Sequence, residues 1–158
     1  MSKGAKLDFN EFSFDDLDQH AMERLVFDDN EISPILKGHI FIEKILETLL
    51  SNNLKNPDAL FKSRRSFDLK IDIARGMGLI NEKYVSAFKA INNVRNNYAH
   101  KHDYKVSIED LSGFKFDWED MQNKAFQVAC AKGVNEAARI ATIFLCWKAI
   151  LLIKNPEE

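Results

Sequence analysis

The apolar residues of this chain recur at the spacing of an α-helix. The pair Ser33-Pro34 favours a helix start, because the fixed φ and missing N–H of proline suit a first helical turn. No run of six or more residues alternates between apolar and polar side chains, so no strand is predicted. The first long helix has an apolar face formed by Ile35, His39, Ile42, Leu46, Leu49 and Leu50, where the histidine is interpreted as a core residue. This pattern restricts the chain to an all-α fold.

Residues that cap helices mark the other predicted helix starts. Ser13 with Asp16, and Ser107 with Asp110, have the spacing of a capping box. Single caps are predicted at Ser66, Asn81 and Asp117. Helices are predicted over 14–27, 34–51, 67–77, 82–98, 118–132 and 134–154, with one helical turn after Ser107. Four or five long helices joined by short loops predict an up-and-down bundle at 31–158, after an acidic N-terminal extension at 1–30.

The charges are divided unevenly along the chain. Its 158 residues include 22 Lys and Arg against 24 Asp and Glu, a net charge of −2 that argues against a strongly basic nucleic-acid binder. Residues 1–33, however, carry nine acidic and three basic side chains, whereas residues 34–105 carry thirteen basic and seven acidic ones. The first segment therefore has a net charge of −6, and the second has a net charge of +6. A local basic surface attracts phosphate, although solvated charged faces would give the same count.

Cysteine usage and hydropathy bear on location. Cys130 and Cys146 lie in apolar stretches, which excludes a disulfide framework and a reactive thiol. The N-terminus has no apolar signal region. The most apolar segment, 140–153, is shorter than the roughly 20 residues of a membrane span, so a buried or interface helix is expected there. These features predict a cytoplasmic protein that does not enter a membrane.

The densest polar cluster lies near the end of the helix predicted over 82–98 and contains Arg95 and His100. A neutral histidine can accept the proton of a ribose 2′-OH, and an arginine can stabilise the charge that develops on the phosphate, with no metal required. On an ideal helix Arg95 and His100 point about 140° apart. They converge only if the helix ends near Ala99 or a second chain completes the site. The alternative is that Arg95 pairs with a carboxylate while His100 caps the helix C-terminus.

Two further groups of polar residues have alternative interpretations. Arg64 and Arg65 belong to a basic loop that either contacts phosphate or is simply solvated. His100, His102 and Asp103 have side chains that can ligate a metal, but no second pair of ligands stands at the spacing of a metal site. No metal and no cofactor is therefore expected.

The segment Arg95-Asn96-Asn97-Tyr98-Ala99-His100 resembles the signature of the HEPN superfamily of helical domains, in which four to six residues separate an Arg from a His. A helix at 37–46, a stretch at 67–80 and then the Arg…His helix follow one another in the order found in the branch related to mannitol operon repressors. The similarity covers residues 31–112, about half of the chain.

The resemblance implies a four-to-five-helix bundle that dimerises, with two motifs facing a shared cleft. In active relatives the Arg and His cut RNA without metal and leave a cyclic phosphate, which here implicates Arg95 and either His100 or, at the longer spacing, His102. The residues expected to contact RNA are Asn96, Lys101, Arg64 and Arg65. The expected partners are RNA, a second copy and, for a toxin or phage-defence protein, an antitoxin.

The same branch supports a second hypothesis. It includes proteins described as regulators that have no evident nuclease site. The chain would then be a non-catalytic regulatory or protein-interaction module, and its acidic segment 1–33 would dock on a partner or on the basic middle of its own chain.

Overall fold

Helices account for nearly all of the regular structure. A computed structural model describes residues 9–25 and 31–154, with residues 20–25 described by their backbone alone. Within those ranges there is no strand, so the predicted all-α fold is confirmed. A 3₁₀ turn at Phe9–Glu11 precedes α1 (Phe14–Leu25), α2 (Ile32–Asn53), α3 (Pro57–Phe61), α4 (Phe67–Gly76), α5 (Glu82–His100), α6 (Ile108–Ser112), α7 (Asp120–Lys132) and α8 (Val134–Ile150).

Helix α8 lies at the centre of the bundle. It packs most extensively against α2 and α7, and it also contacts α1 and α6. Gly38 of α2 lies so close to α8 that a Cβ atom there would overlap the methyl group of Thr142. The run 141–146 is buried, and Ile143 is only 5% exposed within a single chain. The run 141–146 is therefore buried within one chain, whereas Leu151, near the end of the same apolar segment, is 41% exposed.

Residues 9–25, which the sequence assigns to an acidic extension, contribute to the same core. Phe9 and Leu17 are buried, and the ring of Phe9 lies 5.4 Å from that of Phe41 in α2. Helix α1 packs against α2 and α8, while Asp15 and Asp16 are exposed to solvent. Asp15 and Asp16 thus lie on the outer surface of this segment, whereas Asp18 is half-buried and burial raises its pKa. The predicted end of its helix at residue 27 falls outside the described residues.

Most predicted caps are present. The Oγ of Ser13 accepts a hydrogen bond from the Asp16 N–H at 3.1 Å, and an Asp16 carboxylate oxygen accepts one from the Ser13 N–H at 3.2 Å. Ser107 and Asp110 form the same reciprocal box. The Ser66 hydroxyl and the Asn81 amide oxygen cap α4 and α5 as predicted. Each of these caps is made within four residues, which explains why local sequence is enough to find it.

The predicted start of α2 is wrong by two residues. The helix begins at Ile32, preceded by Glu31, rather than at Pro34. Pro34 occupies the third helical position. A proline is tolerated there because the first N–H groups of a helix have no acceptor within the helix.

The predicted start of α7 is also wrong by two residues. The carboxylate of Asp117 accepts hydrogen bonds from Lys83 Nζ of α5, at 2.8 and 2.9 Å, instead of capping α7. The backbone at Asp117 has a φ of +49°, and the side chain of Trp118 is buried. The helix is instead entered through Glu119, whose N–H donates to Gln122 Oε1 at 3.0 Å.

Candidate functional site

Helix α5 carries both members of the predicted Arg…His pair. It continues to His100, two residues beyond the predicted end, and the Lys101 N–H still donates to the Asn97 carbonyl at 2.8 Å. Arg95 and His100 therefore lie on one uninterrupted helix. Five residues of helix rotate their side chains about 140° apart, so helix termination does not bring these two together within one chain.

Arg95 lines a cavity of about 610 Å³ between α2, the loop before α4, and α5. We call this the Arg95 cavity. Its polar wall includes His39, Arg64, Arg65, Asn92, Arg95 and Asn96. Four residues predicted to handle RNA, the three arginines and Asn96, are thus brought to one place by the tertiary structure. Its size is typical of sites that bind small ligands.

The arginines of this cavity have no carboxylate partner among the described residues. One terminal nitrogen of Arg95 lies 3.2 Å from Asn96 Oδ1, and Arg65 Nε donates to the Leu60 carbonyl at 2.9 Å. Neither acceptor carries a full charge. The alternative prediction, that Arg95 pairs with a carboxylate, is therefore wrong for the described residues.

Two carboxylates also line the Arg95 cavity, and each is already paired with a lysine. Glu43 accepts a hydrogen bond from Lys70 Nζ at 3.1 Å, and Asp68 accepts one from Lys89 Nζ at 2.6 Å. Each lysine is shared with a second carboxylate, Lys70 with Glu47 and Lys89 with Asp72, so the ion pairs reduce the acidic charge beside the cavity without cancelling it. Its guanidinium groups remain available to an external anion.

His39 joins α2 to α5 within this cavity. Its Nε2 lies 3.0 Å from Asn92 Oδ1, and its ring stacks on that of Phe67 at a centroid distance of 4.1 Å. It is buried, with 6% of its surface exposed, as expected for a core histidine whose polar atom is satisfied. Burial lowers the pKa of His39, with Arg95 and Lys70 contributing in the same direction, while Asn92 and Glu43 oppose the shift. His39 is therefore neutral at pH 7.

His100 faces a different part of the surface. Together with Lys101 and His102 it lines an open depression that also includes Tyr98, Ala99 and Tyr104. This depression and the Arg95 cavity have no lining residue in common. His100 and His102 are exposed, and His102 Nε2 lies 3.9 Å from the carboxylate of Asp103. Within one chain the predicted site is thus divided into an arginine half and a histidine half.

The loop after α5 is held in place by Tyr104. Its hydroxyl donates to Asp110 Oδ2 at 2.7 Å, and the same oxygen accepts the Ser107 N–H at 3.1 Å. Burial, reinforced by Asp110, raises the pKa of Tyr104 to about 12. Burial acts to raise the pKa of Asp110 as well, but hydrogen bonds from Tyr104 and Ser107 outweigh it and lower the pKa. The loop next to the histidine half of the site is therefore held by a short, charge-assisted hydrogen bond between Tyr104 and Asp110.

Sequence reasoning missed Asn92 as a partner in the site and took His39 for a core residue alone. Asn92, Arg95 and Asn96 stand at positions i, i+3 and i+4 of α5, so their common face was visible in the sequence. The contact of that face with His39 was not, because it joins residues 53 positions apart.

The described residues give little support to a metal site or to a reactive cysteine. No group of three His, Cys, Asp or Glu side chains is placed to hold a metal ion there. Cys146 is fully buried, and burial raises its pKa, which disfavours the thiolate.

The described part of the chain contains no helix that is both long and apolar enough to cross a membrane. Comparison of the chain with protein-family models, with curated proteins and with solved structures finds no match. The likeness to the HEPN superfamily therefore rests on the Arg…His motif and on the order of the segments at 37–46 and 67–80 before it.

Proposed function

We propose that this protein binds RNA through the Arg95 cavity and that a homodimer cleaves it without a metal ion. The observation that carries the proposal is the convergence of Arg64, Arg65 and Arg95 on one cavity, with no carboxylate paired to any of them among the described residues. Guanidinium groups are well suited to phosphate, because they donate two hydrogen bonds in a planar fork.

The remaining walls of the cavity fit a nucleotide better than a bare phosphate ion. Leu36, Ile40 and Phe67 provide an apolar side, and Ile40 is 58% exposed. Asn96 provides an amide that can donate to and accept from a base edge. Single-stranded RNA presents both an accessible base and a phosphate, so it matches an amphipathic cavity of this kind.

Cleavage in this proposal uses a histidine from a second copy of the chain. His100 of one copy, or His102 at the longer spacing, accepts the proton of the ribose 2′-OH. The 2′-oxygen forms a bond to phosphorus, the bond from phosphorus to the 5′-oxygen breaks, and that oxygen takes up a proton. The products are a 2′,3′-cyclic phosphate and a 5′-hydroxyl. Arg95 of the other copy stabilises the additional negative charge on the phosphate.

The test incubates single-stranded RNA with the purified full chain in EDTA and compares wild type with Arg95→Ala and His100→Ala. Wild type is expected to cut the RNA to a cyclic phosphate, and each variant alone is expected to be inactive. A mixture of the two variants forms heterodimers with one intact site, so it should recover about a quarter of wild-type activity. Absence of cleavage by wild type, or equal activity in all three proteins, would contradict the catalytic proposal.

A non-catalytic RNA-binding regulator is the second candidate. The observation that favours it is the separation of Arg95 and His100 into two surface depressions of one chain. In that case wild type binds RNA and leaves it intact, and Arg95→Ala weakens binding while His100→Ala does not. Sedimentation of wild type at concentrations spanning the assay range then shows whether a dimer is present to join the two halves.

A further inference from the structure

We propose that His39 takes up a proton when a phosphate group enters the Arg95 cavity, so that phosphate and proton bind cooperatively. The inference deepens the proposed function and rests on it, because the phosphate is taken to be that of an RNA chain. It assigns His39 a role in ligand binding besides its packing role in α2.

The hydrogen bonding of His39 defines where the extra proton goes. The oxygen of Asn92 can only accept, so His39 Nε2 carries a hydrogen when it bonds to Asn92 Oδ1 at 3.0 Å. In the neutral ring Nδ1 then holds the lone pair and is the atom that becomes protonated. The bond to Asn92 persists in both states. The stacked ring of Phe67, 4.1 Å away, offers its π-face to the resulting cation.

Burial in the first place, and then the charges around the ring, explain why the empty cavity keeps His39 neutral. Lys70 of α4 and Arg95 of α5 are cations that disfavour a third positive charge, and Glu43 of its own helix acts in the opposite direction. Glu43 is held by Lys70 at 3.1 Å, which limits its effect on the ring. Burial is the largest cause of the lowered pKa of His39, because it disfavours the charged ring. Arg64, Arg65 and Asp68 are the other charged groups that line the same cavity.

A bound phosphate changes this balance. Its negative charge offsets that of Arg95 and raises the pKa of His39 above the value in the empty cavity. By linkage, a ligand that raises the pKa of a group binds more tightly to the protonated protein. Affinity is therefore constant well above the His39 pKa of the complex and increases as the pH falls through it. It levels off again below the pKa of the free protein, which lies under the ordinary 6.5.

The experiment measures RNA affinity against pH with a probe that cannot be cut and does not titrate. A 2′-O-methyl oligoribonucleotide with a 5′-hydroxyl meets both conditions, because it lacks the attacking 2′-OH and a terminal phosphate. Fluorescence anisotropy from pH 8 to pH 5 at constant ionic strength should show Kd falling about fivefold or more for wild type. His39→Gln should lose this dependence. The same comparison in the background His100→Gln/His102→Gln removes the two histidines that the proposed function places against the RNA. That background alone should retain a pH dependence, and adding His39→Gln to it should abolish the dependence.

A pH profile of His39→Gln equal to that of wild type overturns the inference. Because a substitution at a buried position can impair folding, the imidazole resonances of wild type provide an independent measurement. His39 should titrate at higher pH with the oligonucleotide bound than without it, and an unchanged titration again overturns the proposal.

The RNA affinity of Arg95→Ala distinguishes a failure of the proton linkage from a failure of the proposed function. If Arg95→Ala binds the oligonucleotide as tightly as wild type, the cavity is not the RNA site and both proposals fall. If Arg95→Ala binds weakly while wild type shows no dependence on His39, only the proton linkage falls.

Discussion

Asn92 Oδ1 lies 3.0 Å from His39 Nε2, and this hydrogen bond joins α5 to α2 inside the cavity that Arg95 lines. Asn92 and Arg95 are three residues apart on one helix, so a shift of α5 that breaks the hydrogen bond also moves the guanidinium group. The arginine half of the candidate site is therefore positioned by a buried polar contact.

Asn92→Ala is expected to lower the free energy of unfolding by about 1–3 kcal/mol, because it leaves a buried ring nitrogen of His39 without a partner. The neighbouring Asn93→Ala is a matched control, since Asn93 lies on the same helix and is exposed to solvent. Urea denaturation of both variants provides the measurement. Equal stability losses would show that the Asn92–His39 bond contributes nothing specific.

Arg95→Ala is expected to weaken RNA binding and to reduce the slope of log K against log salt concentration by about one, as for the loss of one phosphate contact. The control is Arg75→Ala, because Arg75 lies outside the cavity and pairs with Glu82 at 2.7 Å. Anisotropy titrations at several salt concentrations distinguish the two variants. An unchanged slope in Arg95→Ala would contradict a phosphate contact at this residue.

Gly38→Ala is expected to destabilise the protein by about 1–3 kcal/mol, since the added methyl group overlaps Thr142 and forces α2 and α8 apart. The second substitution Thr142→Ser removes that methyl group and should restore part of the loss. Gly76→Ala serves as the control, because a Cβ there has no neighbour within 4 Å. Thermal or urea unfolding of the single and double variants measures the coupling. A double variant no more stable than Gly38→Ala would contradict the predicted clash.

Tyr104→Phe is expected to reduce the free energy of unfolding at pH 7 by about 0.5–1.5 kcal/mol, through loss of the hydrogen bond to Asp110. The pKa of Asp110 is lowered in the folded protein. Its ionised form therefore contributes stability above the unfolded pKa, and that stability is lost as the pH falls through the lower folded value. The difference between variant and wild type should shrink below about pH 4. Urea denaturation at pH 7, 5 and 3 checks this, and a difference independent of pH would count against the charge-assisted bond.

Much of the secondary structure could be predicted from local sequence. The caps at Ser13, Ser66, Asn81 and Ser107 were all identified correctly, since donor and acceptor lie within a few residues of each other. The cap predicted at Asp117 was wrong for the opposite reason. Its carboxylate is engaged by Lys83, which lies 34 positions earlier in the chain, so a long-range ion pair replaced the local cap.

The candidate site likewise has features that local sequence determines and features that long-range packing determines. The sequence by itself determined the all-α fold and placed Arg95, Asn96 and Asn92 on one helix face, because helical spacing is a local property. Only the tertiary structure decided that this face meets Arg64, Arg65 and His39 while His100 points to another surface. Those outcomes depend on how α2, α4 and α5 pack. Packing is decided by the whole buried core, which no short segment encodes.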